Sequence, residues 1–133
     1  MKRRVFERNL MIEAAVALML ARLAVRLLPT ERIVAWASQP PRRPDRFAAA
    51  VAAEPISRMV DRVGARPWMQ AACLPRALAA QAMLRRRGVA SRLCLGTARE
   101  SDKLAAHAWL ELGDEVIVGG TEQPRFTRLV SFG

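Results

Sequence analysis

The fold is decided by the stretch CLPRALAAQAMLRRRG, residues 73–88, and by its continuation VASRLCLGTARESDKLAAHAWLEL, residues 89–112. The first part predicts a helix, because Pro75 is tolerated only in a first turn and Gly88 suits a left-handed C-terminal cap. Leucine and alanine cover much of its surface, which indicates a central, largely buried element. Strand patterns then predict three strands, at about Ser91–Thr97, Ala105–Leu112 and Glu115–Val118. A tight Gly113-Asp114 turn is predicted to join the last two.

The residues before this stretch carry helical patterns. Residues 1–28 predict a helix of about five turns, and a short helix follows Pro29. Two further helical segments meet at Pro55, which is expected to start a new first turn, and the second ends at Gly64. We therefore expect an α+β fold in a single domain, 1–133. Its N-terminal part, 1–64, is helical, and in its core, 65–133, a helix packs on a small antiparallel sheet.

Composition limits the classes of partner. The chain has 133 residues, of which 52% are hydrophobic, and a net charge of +10 carried mostly by arginine. That charge suits acidic partners, a membrane surface or nucleic acid. Aromatic residues make up only 5% of the chain, however, and no recognised nucleic-acid-binding motif is present. Nucleic acid is therefore not the expected partner.

Cysteine usage and hydropathy favour a cytoplasmic location. Two cysteines do not make a disulfide framework, and with a single histidine they are not expected to close a zinc site, so no metal or cofactor is predicted. No secretory signal layout is present. The longest uncharged apolar run, Ala14 to Ala21, is far shorter than the ~20 residues that a bilayer span requires. The basic start and apolar body of residues 1–28 leave peripheral membrane contact open.

Cys73 and His107 are the candidate catalytic pair. A thiol at a helix N-terminus lies beside unpaired backbone N–H groups and the positive end of the helix dipole, which stabilise a thiolate. The alternative for a free cysteine is a small buried hydrophobe, and Cys94 in its alternating strand illustrates it. His107 is the only histidine, and small alanines flank it on an apolar strand. The two residues together predict a Cys–His dyad, with His107 as general base and then general acid.

A third group would orient the imidazole. A regular two-residue hairpin pairs His107 with Gly120 and puts Asp114 about 20 Å away. Glu111 is also out of reach, being four residues along the strand. Glu122 becomes a diagonal neighbour of His107 on the same face and is our candidate orienter. A backbone carbonyl or a water molecule could serve instead.

Residues just upstream of the nucleophile are candidates for the oxyanion hole. The backbone N–H of Cys73 is a natural donor, and the Gln70 amide is a candidate second donor. Trp68 is expected to pack in the core. The arginine groups at 42–43 and 85–87 are expected to be solvated surface, with a docking face for an acidic peptide as the alternative.

Three short motifs are specific: C-L-x-R-[SA]-L-A at Cys73–Ala79, L-R-R-R-G-V at Leu84–Val89 and A-H-A-W at Ala106–Trp109. With them the chain resembles the B2 leader peptidases of lasso-peptide biosynthesis, which belong to the transglutaminase-like cysteine protease superfamily. The tryptophan before the cysteine and the upstream ARLAVRLLP also look like that family, as does the tail pattern R-F-T-x-L at Arg125–Leu129.

The resemblance implies a transglutaminase-like or papain-like core and a protease that removes the leader from a ribosomally made precursor peptide. It also implies two partners besides the precursor: a separate leader-recognition protein, B1, and an ATP-dependent lasso cyclase. By resemblance Cys73 is the nucleophile and His107 the base. The family's aspartate usually lies on the strand after the histidine, about where Gly119 stands here.

Other functions stay open at this point. The same dyad could carry out another acyl transfer, such as transglutamination or amidation. Outside enzymes, a basic nucleic-acid-binding module or a membrane-surface scaffold acting through residues 1–28 would also fit the charge. Neither of these would need the pairing of a helix-first cysteine with a strand-borne histidine.

Overall fold

The computed structural model describes residues 2–41, 44, 46–100, 103–119 and 127–132. The described residues form an α+β fold in which helices precede an antiparallel sheet with strand order β3-β2-β1-β4. This confirms the predicted fold class. The elements are α1 Lys2–Leu27, α2 Thr30–Ala37, α3 Arg46–Gly64, α4 Cys73–Arg86, β1 Arg92–Glu100, β2 Lys103–Leu112, β3 Glu115–Val118 and β4 Thr127–Phe132.

Two of the N-terminal helices are longer than predicted. Helix α1 has 26 residues, about seven turns rather than five, because its basic start is also helical. Helix α3 continues through Pro55, so the prediction of a new first turn there is wrong. Apolar side chains after the proline, among them Ile56 and Val60, are buried in the core and hold the helix together across the missing N–H. None of the helices in the described ranges is both long enough and apolar enough to cross a membrane.

Helix α4 is the centre of the core, as predicted. Most of its residues are buried and contact α1, α3 and the sheet. It ends as expected: Gly88 takes a φ of +80°, and the N–H of Val89 donates to the carbonyl of Leu84 at 3.0 Å. The amide of Gln81 donates to the carbonyls of Ala37 (3.0 Å) and Ser91 (3.4 Å), which fixes the chain on both sides of the helix.

The arginines at the end of α4 are mostly structural. Arg87 makes two hydrogen bonds to the Glu13 carboxylate, at 2.6 and 2.8 Å, and they lower the pKa of Glu13 and raise that of Arg87. The Arg85 guanidinium lies 4.0 Å above the Trp36 ring. The prediction that these arginines are solvated surface is therefore wrong for Arg85 and Arg87, because α1 and α2 pack around this end of α4. The prediction is confirmed for Arg86, whose side chain is 75% exposed.

The sheet matches the prediction in its centre and differs at its ends. The Gly113-Asp114 turn is present, but β1 and β2 pair as far as Glu100 and Lys103, beyond the predicted limits. Strand β4 was not predicted; it pairs with β1 at the other edge. The register of β2 and β3 shifts by one residue between Leu110 and Glu111.

The sheet has two distinct faces. Residues such as Leu93 and Leu110 belong to the helical core, whereas Cys94 and Trp109 form a separate buried cluster with Val116. Since neighbouring residues of a strand alternate between faces, this cluster lies on the side away from α4.

Candidate active site

Cys73 is the first residue of α4, so the prediction that it lies at or beside the N-cap is confirmed. The N-cap residue is Ala72, which has extended backbone and makes no side-chain cap. Pro75 has no N–H, and the N–H of Arg76 donates to the Ala72 carbonyl at 3.2 Å. The N–H groups of Cys73 and Leu74 are thus the donors that this first turn offers an anion.

The loop that leads to Cys73 is fixed at alternate residues. Met69 is buried, and its carbonyl accepts a 2.9 Å hydrogen bond from Arg22 of α1. Ala71 is also buried: its N–H donates to the Gly64 carbonyl at 2.9 Å, and its carbonyl accepts from Arg76 Nε at 2.9 Å. These main-chain bonds, together with a 3.6 Å contact from Arg22 Nη1 to Met69 Sδ, hold the backbone in front of the thiol.

The two loop residues that alternate with these anchors, Trp68 and Gln70, are exposed. Trp68 is 64% exposed, so the expectation that it packs in the core is wrong; the buried positions beside it are taken by Met69 and Ala71. Gln70 is exposed as well, and its φ of +41° lies in the left-handed region, which costs a residue with a side chain about 1–2 kcal/mol. Strained backbone of this kind concentrates at functional sites.

Arg76 puts a positive charge one turn after the thiol. It contacts Asp61 at 3.7 Å, and burial raises the pKa of Asp61 although Arg76 opposes the rise. Gly64 makes room for the guanidinium, since a Cβ there would lie 2.9 Å from Arg76 Nε. A larger residue at position 64 would therefore displace Arg76 from the loop carbonyl.

His107 is buried on the sheet face that carries Trp109. The two rings stack with centroids 6.1 Å apart and planes inclined by 26°. Trp109 is held in turn, because its Nε1 donates to Glu111 at 2.8 Å and Glu111 pairs with Arg92 at 3.0 Å. The imidazole therefore rests on a ring that a buried carboxylate keeps in place.

The carbonyl oxygen of Gly119 contacts the imidazole directly. It lies 3.2 Å from His107 Nε2, where it can accept a hydrogen bond from an Nε2–H tautomer. The contact depends on glycine: φ is +79°, and a Cβ would lie 3.1 Å from His107 Nε2, Ala108 O and Trp109 Cβ. In this tautomer Nδ1 is the basic nitrogen.

The register predicted for β2 and β3 holds at Leu112–Glu115 and Glu111–Val116 and is wrong at Leu110, which lies opposite Val118 instead of Ile117. The expected pairing of His107 with Gly120 and the expected diagonal contact with Glu122 fall on residues outside the described ranges and stay predictions. Glu111 was expected to be out of reach of the imidazole, and it binds Trp109 and Arg92.

Cys73 and His107 contact different neighbours. Ser91, just before β1, lies beside Gln81, which is about 12 Å along α4 from Cys73. His107 pairs with Gly96 of β1, about 16 Å along the sheet from Ser91. Cys73 packs at the edge of the helical core, whereas His107 packs on Trp109 across the sheet.

Cys94 is fully buried beside Trp109, in the structural role expected of it.

Within the described ranges there is no group of three or more His, Cys, Asp or Glu side chains placed to hold a metal ion. Sequence reasoning left a backbone carbonyl open as the partner of His107 but did not identify it as that of Gly119, and it missed the exposure of Trp68. For Gly119 the signal was a glycine at the position of the family's aspartate.

A partly exposed cysteine that opens a central helix, followed by a histidine on an antiparallel sheet, is typical of cysteine hydrolases and acyl transferases. The sequence model of the transglutaminase-like superfamily matches residues 15–131, and the chain belongs to this superfamily. Membership implies Cys–His hydrolase or acyl-transfer chemistry. Comparison with curated proteins and with solved structures gave no significant match.

Proposed function

We propose that this protein is a cysteine peptidase that cleaves the leader from a lasso-peptide precursor. The observation that carries the proposal is Cys73 at the start of a helix whose N-cap has no side-chain acceptor. Superfamily membership supports the chemistry, and the motifs around Cys73 and His107 support the substrate class. Cys73 is the proposed nucleophile and His107 the proposed base.

In the proposed reaction, His107 Nδ1 takes the proton of the Cys73 thiol, and the thiolate attacks the scissile carbonyl carbon. The C–O π electrons move to oxygen, and the resulting oxyanion accepts from the N–H groups of Cys73 and Leu74, with the Gln70 amide as a further donor. The intermediate collapses as the C–N bond breaks and the imidazolium protonates the leaving amine. Water, deprotonated by His107, then hydrolyses the thioester and restores the thiol.

The Gly119 carbonyl is the proposed orienting group for His107. A carbonyl accepts a hydrogen bond from Nε2–H and holds the ring, as a carboxylate would, but it adds no negative charge. This supports a dyad positioned by the backbone. Glu122 stays a candidate for a further interaction with the ring.

Trp68 is the proposed contact for the substrate beside the nucleophile. Its indole is exposed five residues before Cys73, on a loop that Arg22 and Arg76 hold in place. A large, fixed aromatic surface binds peptide side chains at low entropic cost. The remaining partners are proposals of the same kind: a separate leader-recognition protein and a lasso cyclase, acting in the cytoplasm.

The experiment is to incubate the protein with precursor and recognition protein and to analyse the products by mass spectrometry. We expect separate leader and core peptides, no cleavage by Cys73→Ala or His107→Ala, and cleavage by the matched control Cys94→Ser. Activity in Cys73→Ala together with its loss in Cys94→Ser would overturn the assignment. Peptide joined to an amine, without hydrolysis products, would instead establish a transferase.

A bifunctional reagent tests whether the two side chains meet in solution. 1,3-Dibromoacetone alkylates a thiolate and then a nearby nitrogen, which bridges them with three carbons. We expect a single bridged adduct between Cys73 and His107, located by peptide mapping, and only a mono-alkylated product in His107→Ala. Mono-alkylation of Cys73 in the wild-type protein would refute the dyad.

A further inference from the structure

Helix α1 is apolar on two opposite sides. One side, with Leu10, Ala14 and Leu18, is buried against the rest of the helical core. The other side leaves a row of large apolar side chains at least 45% exposed: Val5, Ile12, Val16, Met19, Leu20, Leu23 and Leu27. An exposed apolar row of this length on a globular protein marks an interaction surface.

Part of this row forms one wall of a groove. The groove lies between α1, α2 and the C-terminal half of α4, and its volume is about 1620 Å³. It follows α1 from Asn9 to Leu28, a rise of about 28 Å, which is the length of a five-turn helix. Val16 and Leu20 line it from α1 and Trp36 from α2. Its length and apolar lining suit an amphipathic helix.

The charges of the groove are strongly asymmetric. Four arginines, at positions 32, 85, 86 and 87, and a single acid, Glu13, line it, which gives a net charge of +3. Glu13 is already bound by Arg87 and Arg86. Positive charge at the rim is therefore left for an acidic ligand.

One nitrogen of Arg85, Nη1, lacks an acceptor among the described residues. Its Nη2 donates to the Ala37 carbonyl at 3.2 Å and its guanidinium stacks on Trp36, but Nη1 is buried and unpaired among the described residues. Burial also lowers the pKa of Arg85. A buried donor without an acceptor is costly, and a carboxylate entering the groove would lower that cost.

We propose that the groove between α1, α2 and α4 binds an acidic amphipathic helix of a partner protein. Leucine-type side chains would pack on Val16, Leu20 and Trp36, and carboxylates would face Arg32, Arg85 and Arg86. A flat lipid surface would cover the exposed row, including Met19 and Leu23, but it would not enter the concave groove or reach the buried Arg85 Nη1. The site is independent of Cys73 and would bind in a protein without the thiol.

The test uses a fluorescein-labelled helical peptide of about 18 residues with a leucine row flanked by glutamates, and a copy with lysines in place of the glutamates. Binding is measured by fluorescence anisotropy with the Cys73→Ala protein, so that failure here is separate from failure of the peptidase. We expect saturable binding of the glutamate peptide and at least tenfold weaker binding of the lysine peptide.

Two variants on the same helix form a matched pair. Leu20 lines the groove and is 61% exposed, whereas Leu23 is 48% exposed and lies outside it. Leu20→Glu should weaken peptide binding about tenfold or more, and Leu23→Glu should change it less than about twofold. Circular dichroism checks that both variants fold.

Four outcomes would overturn the proposal. Equal binding of the two peptides would mean that charge does not select the ligand, and equal effects of the two variants would mean that the groove is not the site. Flotation with anionic vesicles that Leu23→Glu abolishes would assign the exposed row to a membrane. A dimer in light scattering that Leu20→Glu dissociates would assign the groove to a second copy of the chain.

Discussion

Substitution of Gly119 by alanine tests whether a backbone carbonyl positions His107, the proposed base. The change has two costs. With φ at +79°, the left-handed conformation costs alanine about 1–2 kcal/mol. The new Cβ would also lie 3.1 Å from His107 Nε2, Ala108 O and Trp109 Cβ, and crowding of this kind costs about 1–3 kcal/mol. We expect a total loss of about 2–5 kcal/mol in the free energy of unfolding.

Gly113 is the matched control. Its φ is +60°, but nothing lies within 4 Å of the position where a Cβ would be added. Gly113→Ala should therefore lose only the conformational term, about 1–2 kcal/mol, and keep its activity. Urea unfolding followed by tryptophan fluorescence measures the stability of both variants.

The two glycines should differ most in catalysis. Displacing the carbonyl from His107 Nε2 removes an orienting hydrogen bond, so kcat/KM of Gly119→Ala should fall about tenfold, or roughly 1.4 kcal/mol, at temperatures where the variant is folded. Equal stability losses in the two variants, with unchanged kcat/KM for Gly119→Ala, would refute the positioning role of the carbonyl.

Three further substitutions follow from the same contacts. Glu13→Gln should destabilise the protein by about 1–2 kcal/mol at neutral pH, because Arg87 loses its partner. Folding lowers the pKa of Glu13 from 4.5, so its contribution to stability is present above pH 4.5 and is lost as the pH falls through the folded pKa. In thermal unfolding, the Tm values of wild type and variant should therefore converge at acidic pH. A difference in Tm that stays constant with pH would contradict the ion pair. Trp68→Ala should raise KM about fivefold with an unchanged Tm, as checked by steady-state kinetics, and a lower Tm would indicate a packing role. Pro55→Ala should raise the free energy of unfolding by about 1–2 kcal/mol in urea, since it restores an N–H inside α3, and destabilisation would mean that the ring packs favourably.

Periodicity and turn chemistry explain what could be predicted of the fold. The Pro75 and Gly88 signals located both ends of α4, and alternation located β2 and β3. Strand β4 was missed because its residues pair with residues of β1 that are 30 to 39 positions away, and no local turn signal joins the two strands. The continuity of α3 was missed for the opposite reason: a local rule about proline was overridden by the burial of side chains that follow it, such as Ile56 and Val60.

The site was predictable where side chains define it. A cysteine before a helix and a single histidine on an apolar strand are visible in the sequence. The group that contacts His107 is a main-chain oxygen, and its position depends on the register shift between β2 and β3 and on the positive φ of Gly119. Neither property is encoded by a side chain, so the sequence favoured the carboxylate of Glu122 and could leave a backbone carbonyl only as an alternative without a residue number.

Because α4 has no side-chain cap at Ala72, a substitution there that raises the stability of the protein is expected to lower its turnover. Ala72 contributes no side-chain acceptor, and Pro75 removes the N–H to which a cap often bonds, so Leu74 would be the main donor for any cap introduced there. Serine or aspartate at position 72 would gain at most about 1 kcal/mol of stability and would occupy a donor that we propose for the oxyanion. Engineering for heat resistance would favour such a cap, and the stabilised variant would have a lower turnover rate.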